Sequence, residues 1–386
     1  MNIDQKHLDK KSTVNLGSYY TPKHLVALVY EMLKGNVVNF PQYTILDSSC
    51  GYGSFLQDDI KNRLIGVDID IEAIKKAKKN INTEFICENS LKDVNRKVFN
   101  IKEDEKLVVI GNPPYNDTTS IICSHIKYAP TQIDADIKTR DLGMSFLLSY
   151  NKLEADYVCV LHPLSYLIKK SNFSLISKFV KNYKLINGVI FNSQEFSSTS
   201  RVTGFPILIG LYQRDCVGMS YDFIKDFDFK VKEGGIFRLN SFDSIANYIH
   251  KYPNKKTLKE DEQFVARFYT LRDINALKRN RTFINTHSNN AVYVHEEKFP
   301  YYCYIDVFKR YIDKMPYFLG NCDVMIDNER FEEIKECFIE ESIRTNSILK
   351  DSFKPKGIAD VELKIRNYFK ELFAKILGEQ YAKTFD

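Results

Sequence analysis

The sequence has no CxxC pair and no histidine at metal-ligand spacing; its eight cysteines (Cys50, Cys87, Cys123, Cys159, Cys216, Cys303, Cys322 and Cys337) stand singly. That spacing argues against both a zinc site and a disulfide framework, so reduced thiols and no metal cofactor are expected. Long apolar runs are missing too. Nothing approaches the roughly 18 to 20 uncharged apolar residues of a membrane span. The polar start MNIDQKHLDKK lacks the apolar stretch of a secretory signal. The expectation is a cytoplasmic protein with no membrane partner. A GxxxxGKS or GxxxxGKT phosphate loop is absent, and so are internal repeats and low-complexity tracts. What is present is an ordinary folded composition, with 44% hydrophobic and 27% charged residues over 386 positions. That length allows two or three domains, each able to bury its own core.

The net charge of +5 is too small to name a partner, but its distribution is uneven. Residues 251–281 hold nine Lys and Arg against four acids, whereas residues 323–341 hold eight acids against two bases. Such asymmetry implies a basic face for phosphates and an acidic face elsewhere.

Along the first half, short apolar runs alternate with helical patterns. Thr21-Pro22 before KHLVALVYEMLK and Gly35 predicts a helix capped by Thr21, with Pro at its first position and Gly beyond its end. Strands are predicted at 43–47, 63–68, 83–87, 106–111, 156–163, 184–191 and 205–212, with helices at 54–62, 71–82, 142–153 and within 164–183. This alternation implies crossovers and a doubly wound α/β sheet, the Rossmann-like class. Beyond about residue 215 the alternation fades into aromatic and charged segments. The expected organisation is therefore a doubly wound first domain over 1–214 and a mixed or mainly helical second domain over 215–386.

The chemistry gathers at two loops. LDSSCGYGSF (46–55) lies where the first strand turns, and Gly51 and Gly53 let backbone approach a ligand. Asp47 closes that strand and is placed to accept from a ligand amine. Asp68 closes the next strand, 21 positions on, where an acidic side chain bridges ribose hydroxyls. After the fourth strand comes GNPPY (111–115). Its prolines remove two N–H donors and fix the backbone, so the carbonyls there are left to point into the cleft. Asn112 adds an amide oxygen, which makes two acceptors for one planar amino group, and Tyr115 is positioned to stack on the ring that bears it.

YTP (20–22), DSSCGYGSF, VDID and GNPPY, in that order, resemble the ordered motifs of S-adenosylmethionine-dependent methyltransferases of adenine N6 in DNA, in the gamma class, of the restriction-modification type. The resemblance covers residues 17–213 and makes 1–214 the catalytic domain and 215–386 the DNA target-recognition domain. It implies that Tyr20, Thr21, Asp47, Cys50, Gly51, Gly53 and Asn112 surround the cofactor, with Asp68 on its ribose, Ile69 against its adenine and Asn89 accepting from that adenine. It also implies Asn112, Pro113, Pro114 and Tyr115 as catalytic, with a second aromatic on the other face of the target base. Phe191 and Phe196 are both available for that face, and the distance to VTGFPI favours Phe196.

The implied reaction turns S-adenosylmethionine into S-adenosylhomocysteine, without metal, on an adenine extruded from double-stranded DNA. Lys278, Arg279 and Arg281 are the candidate DNA contacts, and a cognate restriction endonuclease is a candidate partner. The same NPPY chemistry also serves protein glutamine amides and RNA adenines. Enzymes of the glutamine type usually carry a helical domain before the glycine loop and end soon after the catalytic domain, the reverse of this chain. A specificity subunit with an inactive methylase domain is the non-enzyme rival, against which the intact Asp47, Gly51, Gly53, Asn112 and Tyr115 argue. DVELK (360–364) is the nearest approach to a nuclease cluster and reads as a helix surface.

Overall fold

A computed structural model of the chain describes residues 21–56, 60–115, 132–196, 204–253 and 263–378. The chain divides into two compact units, Met1–Arg238 and Leu239–Asp386. In the first, α1 (Lys23–Asn36) precedes β1 (Thr44–Asp47), β2 (Leu64–Asp68), α2 (Ile71–Asn80), β3 (Glu84–Cys87) and β4 (Leu107–Gly111). Then come α3 (Leu142–Lys152), β5 (Tyr157–Pro163), three short helices α4 (Ser165–Ile168), α5 (Lys170–Leu175) and α6 (Ser177–Val180), β6 (Tyr183–Asn192) and β7 (Pro206–Arg214). The unit closes with α7 (Tyr221–Asp226), β8 (Phe229–Val231) and β9 (Ile236–Phe237). The strands form one sheet in the order β3-β2-β1-β4-β5-β7-β6-β8-β9. Strands β1 to β5 pair in parallel, and β7 inserts antiparallel between β5 and β6. This is the doubly wound, Rossmann-like architecture expected from the alternation.

The central strands read as continuous apolar runs because they are covered on both faces; every residue of β1 and β4 is buried. Strand order reverses at β1, whose neighbours β2 and β4 leave in opposite directions. In open α/β sheets that reversal opens a crevice at the strands' carboxyl ends. Asp47, Asp68 and Gly111 are the last residues of β1, β2 and β4 and so stand at its mouth.

Three local expectations change. Helix α1 begins at Lys23 with Pro22 at its cap position, and Gly35 lies inside its last turn, not beyond it. Thr21 is not the cap: its hydroxyl instead receives the side-chain amide of Asn112. The helix expected at 54–62 is not formed among the described residues. The chain turns at 50–56, with Gly53 N–H on Cys50 O and Leu56 N–H on Gly53 O. Beyond it, buried Asn62 donates its amide to the carbonyls of Phe40 and Tyr43, at 2.7 and 2.8 Å. Finally, the units meet at 238/239 instead of 214/215, because β8 pairs with β6 and β9 with β8, extending the first sheet.

The second unit contains two small ladders, β10 (Asp243–Ser244) with β13 (Met325–Ile326) and β11 (Ala266–Tyr269) with β12 (Ala291–Val294). Its helices include α8 (Ile274–Arg279), α9 (Phe299–Phe308), α10 (Asn328–Thr345), α11 (Ser347–Ser352) and α12 (Val361–Leu377). Tyr304, Phe331, Phe338 and Phe369 meet at ring separations of 4.9–5.8 Å to form its core. The buried Tyr304 hydroxyl is satisfied by Met325 O at 2.7 Å. Among the described residues no helix is long and apolar enough to cross a membrane.

Candidate active site

The loop after β1 is shaped by its glycines. Gly53 adopts φ +79°, and a Cβ there would lie 2.7 Å from Ile81 Cδ1, so the turn excludes other residues. At Gly51 an added Cβ would meet nothing within 4 Å: the loop faces open space. Gly51 N–H donates to Asp68 Oδ2 at 2.8 Å, and Asp70 N–H to Asp68 Oδ1 at 2.9 Å. Each Asp68 oxygen keeps a lone pair for a hydroxyl. Beneath the loop, Ser48 Oγ lies 3.1 Å from the buried Tyr150 hydroxyl, and Ser90 Oγ donates to Ser48 O at 2.7 Å. Nothing local in the sequence marks Tyr150 or Ser90 as supports; only the fold brings β1, α3 and the loop after β3 together.

Asp47 is 1% exposed. Its Oδ1 accepts from Ser49 N–H at 3.1 Å, while burial, with a smaller contribution from the charge of Asp68, pushes its carboxyl up to about 8. Burial likewise raises Asp68, against the backbone donors of Asp70 and Gly51. Gly111 explains how Asp47 fits: at φ +135°, it runs past the carboxylate so closely that a Cβ would lie 2.7 Å from Oδ1. Gly111 was visible in GNPPY but carried no role there.

Asn112 follows, donating its amide to Thr21 Oγ1 at 3.2 Å, so the start of α1 and the end of β4 are joined across 91 residues. Pro113 and Tyr115 are buried. Tyr115 backs onto Gly143 in the first turn of α3, where an added Cβ would sit 3.2 Å from Tyr115 Cβ. That turn is fixed by Asp141, whose carboxylate caps Gly143 N–H at 2.9 Å and accepts the Tyr166 hydroxyl. Phe191 and Phe196 are both buried and touch each other edge to face at 5.6 Å, so the two candidates form one aromatic wall. His24 of α1 meets Glu195 at 2.5 Å, and Lys232 meets the same carboxylate at 2.8 Å.

Of the expected cofactor residues, Thr21, Asp47, Cys50, Gly51, Gly53, Asp68, Ile69 and Asn112 lie along the carboxyl ends of β1, β2 and β4 or at the start of α1. Tyr20 lies outside the described residues. Asn89 stands after β3 with its amide engaged: Oδ1 accepts from Leu91 N–H at 3.0 Å and Nδ2 donates to Gln132 O at 2.7 Å. Two further features fit a nucleoside-bearing cationic cofactor here. Ser49 Oγ is buried with no hydrogen-bond partner among the described residues, and Ile69, an apolar side chain beside Asp68, is 63% exposed. No described group of three or more His, Cys, Asp or Glu side chains is placed to hold a metal.

The raised Asp47 carboxyl has a measurable consequence. A buried acid that ionises near pH 8 in the fold but near its ordinary value when unfolded favours the native state fully at low pH. That contribution is lost progressively as pH climbs from about 4 through 8. The melting temperature of the ligand-free protein minus that of Asp47→Asn should therefore fall over that window and level off above it. A difference independent of pH would refute the assignment.

The sequence matches the family described as N-6 DNA Methylase over residues 6–200, about half of the chain. No curated protein matches it. Among solved structures, a class I S-adenosylmethionine-dependent methyltransferase from Listeria monocytogenes is 17% identical at TM-score 0.37, covering 52% of this chain and 62% of that one. The methyltransferase subunit of a type I restriction-modification system from Streptococcus thermophilus is 16% identical at TM-score 0.38, covering 51% and 44%. The 23S rRNA methyltransferase ErmE is 14% identical at TM-score 0.32, covering 53% and 72%. The chain thus spans under two thirds of the length of the first two. With the family match taking in the glycine loop, Asp68 and GNPPY, the chain belongs to the N-6 DNA methylase family of S-adenosylmethionine-dependent methyltransferases.

Proposed function

We propose that the protein methylates the N6 amino group of an adenine flipped out of double-stranded DNA, as the modification enzyme of a restriction-modification system. The observation that carries this reading is the Asn112 amide, tied to Thr21 at the mouth of the crevice and followed by two prolines and the buried Tyr115.

S-adenosylmethionine supplies an electrophilic methyl group on a positively charged sulfur. Asp68 would hold its ribose hydroxyls, Asp47 and Ser49 would face its amino acid end, and Ile69 would cover its adenine; Asn89 has one lone pair left on Oδ1 for the adenine amine. The target amine is conjugated and a poor nucleophile. Asn112 Oδ1 and Pro113 O accept hydrogen bonds from its two N–H groups, which draws the nitrogen toward tetrahedral geometry; the transfer replaces one N–H by N–CH3, breaks the methyl–sulfur bond to leave S-adenosylhomocysteine, and releases the displaced proton to solvent. Extruding the base costs a few kcal/mol. Stacking on Tyr115 and on Phe196 or Phe191 returns about 1–3 kcal/mol per base. Rate then comes from positioning and fixed dipoles.

The second unit, Leu239–Asp386, is proposed to hold the DNA. Lys278, Arg279 and Arg281 are exposed at the end of α8. Lys278 is paired with Asp313 at 2.5 Å, whereas no described acid pairs with Arg279 or Arg281. Neutralising all three should weaken binding to every duplex and flatten its salt dependence, the two arginines contributing more; unchanged affinity and salt slope would remove them from the interface.

The decisive measurement is sequencing of plasmid DNA from cells with and without this gene. N6-methyladenine at one short motif, present only with the gene, supports the proposal. Unmodified DNA together with a methylated protein or RNA would overturn it.

A further inference from the structure

In the ladder of β11 and β12, β12 is buried throughout, whereas Arg267 in β11 is half-buried. Phe268 is buried against Phe283 and Tyr302, at 5.1 and 5.0 Å between rings. Because strand side chains alternate, Arg267 and its cross-strand partner Tyr293 lie on the opposite face. There the Arg267 guanidinium lies 4.7 Å over the Phe264 ring and 5.9 Å over the Tyr293 ring, which themselves meet edge to face at 4.9 Å. His287 Nδ1 lies 2.6 Å from the Tyr293 hydroxyl, locking the cradle from the loop side.

An arginine ordered this way normally answers a carboxylate, and Arg267 has none among the described residues. It spends one of its five N–H donors, on Asn285 O at 3.3 Å. That bond anchors the start of the loop NTHSNN (285–290), which is exposed over most of its length and carries no acid. The side chains of Asn285, Thr286 and Asn290 make no hydrogen bond to any other described residue. Amide, hydroxyl and imidazole groups are therefore displayed beside a preorganised guanidinium on a two-stranded ribbon. Charge complementarity selects an anionic partner. The uncharged hydrogen-bonding loop selects one with many donors and acceptors in fixed register.

We infer that Arg267 and the exposed loop 285–290 read base edges in the major groove of duplex DNA. In that groove Arg forks onto guanine O6 and N7, and Asn pairs with adenine N6 and N7. Arg267 is the specificity-determining residue, and Asn285 and Asn290 are the adjoining readers. This rests on the DNA reading above and adds which surface distinguishes one sequence from another.

The test is the methylated motif itself, read by sequencing plasmid DNA from cells making the full-length protein, Arg267→Ala, or Asn285→Ala with Asn290→Ala. The loop variants change exposed side chains and leave the core intact, so they report even if Arg267→Ala folds poorly. The expected result is that at least one motif position becomes degenerate. In vitro, methylation of the original motif should fall roughly tenfold to a hundredfold relative to a substrate changed at that position. An unchanged motif in both variants overturns the inference. So does an unchanged motif with a reduced salt slope, since Arg267 would then meet a phosphate. Absence of N6-methyladenine with the wild-type protein is a different outcome: it overturns the DNA reading, and this inference with it.

Discussion

Replacing Asn112 by Ala is expected to lower single-turnover methyl transfer by roughly 10²–10³-fold, the range for losing one preorganised polar group at a reacting centre. The argument starts from the planar side-chain amide. Its nitrogen donates to Thr21 Oγ1 at 3.2 Å, which fixes the amide's orientation and so holds its oxygen at the end turned away from Thr21. Alanine removes both the acceptor and the tie. Thr21→Val keeps the acceptor and removes only the tie, so it should cost less, about tenfold, by letting the amide rotate. Tyr115→Phe should be milder still, because stacking uses the ring. Tyr115→Ala should weaken the flipped-base complex by about 1–3 kcal/mol. Cofactor affinity, measured by calorimetry, should fall far less than turnover in Asn112→Ala. Near-normal turnover on a methylatable duplex by Asn112→Ala would rule out the two-acceptor mechanism.

The sequence made the sheet legible because its central strands are covered on both faces and so appear as short unbroken apolar runs, such as TILD and LVVIG. Strands β8 and β9 escaped because they are three and two residues long and sit in the charged stretch FKVKEGGIF. Their membership depends on pairing with β6, not on their own pattern. The segment expected as a helix at 54–62 has the apolar spacing of one; among its described residues, 54–56 instead close the glycine turn, with Leu56 N–H on Gly53 O. At the candidate site, Asp47, Gly51, Asp68 and Asn112 were visible as residues. Their mutual support was not, since the Thr21–Asn112 bond and the Tyr150–Ser48 contact join positions about 100 residues apart. Arg267 was hidden inside a basic stretch read only by its net charge. The rings that set it apart come from Phe264 and from the opposite strand, which no local count can align.

Gly111→Ala is expected to be strongly damaging, acting on folding and cofactor binding together. Two costs coincide at that position. The backbone is held at φ +135°, a region an L side chain enters at about 1–3 kcal/mol. The new Cβ would also lie 2.7 Å from Asp47 Oδ1, and Asp47 is 1% exposed, so the carboxylate has no free space into which to withdraw. For a unit of this size each kcal/mol corresponds to roughly 2–4 °C, so a fall in melting temperature on the order of 5–10 °C is expected. S-adenosylmethionine affinity should drop as well, because moving Asp47 also disturbs the Ser49 turn whose N–H it accepts. The two costs can be separated by a double-mutant cycle with Asp47→Ala. Removing the carboxylate relieves the clash but not the backbone strain, so the pair should be less damaging than the sum of the singles, with a coupling of at least about 0.5 kcal/mol. Strict additivity would mean that the glycine is needed only for its backbone angle. Wild-type melting and affinity in Gly111→Ala would mean that neither the angle nor the close approach to Asp47 constrains the site.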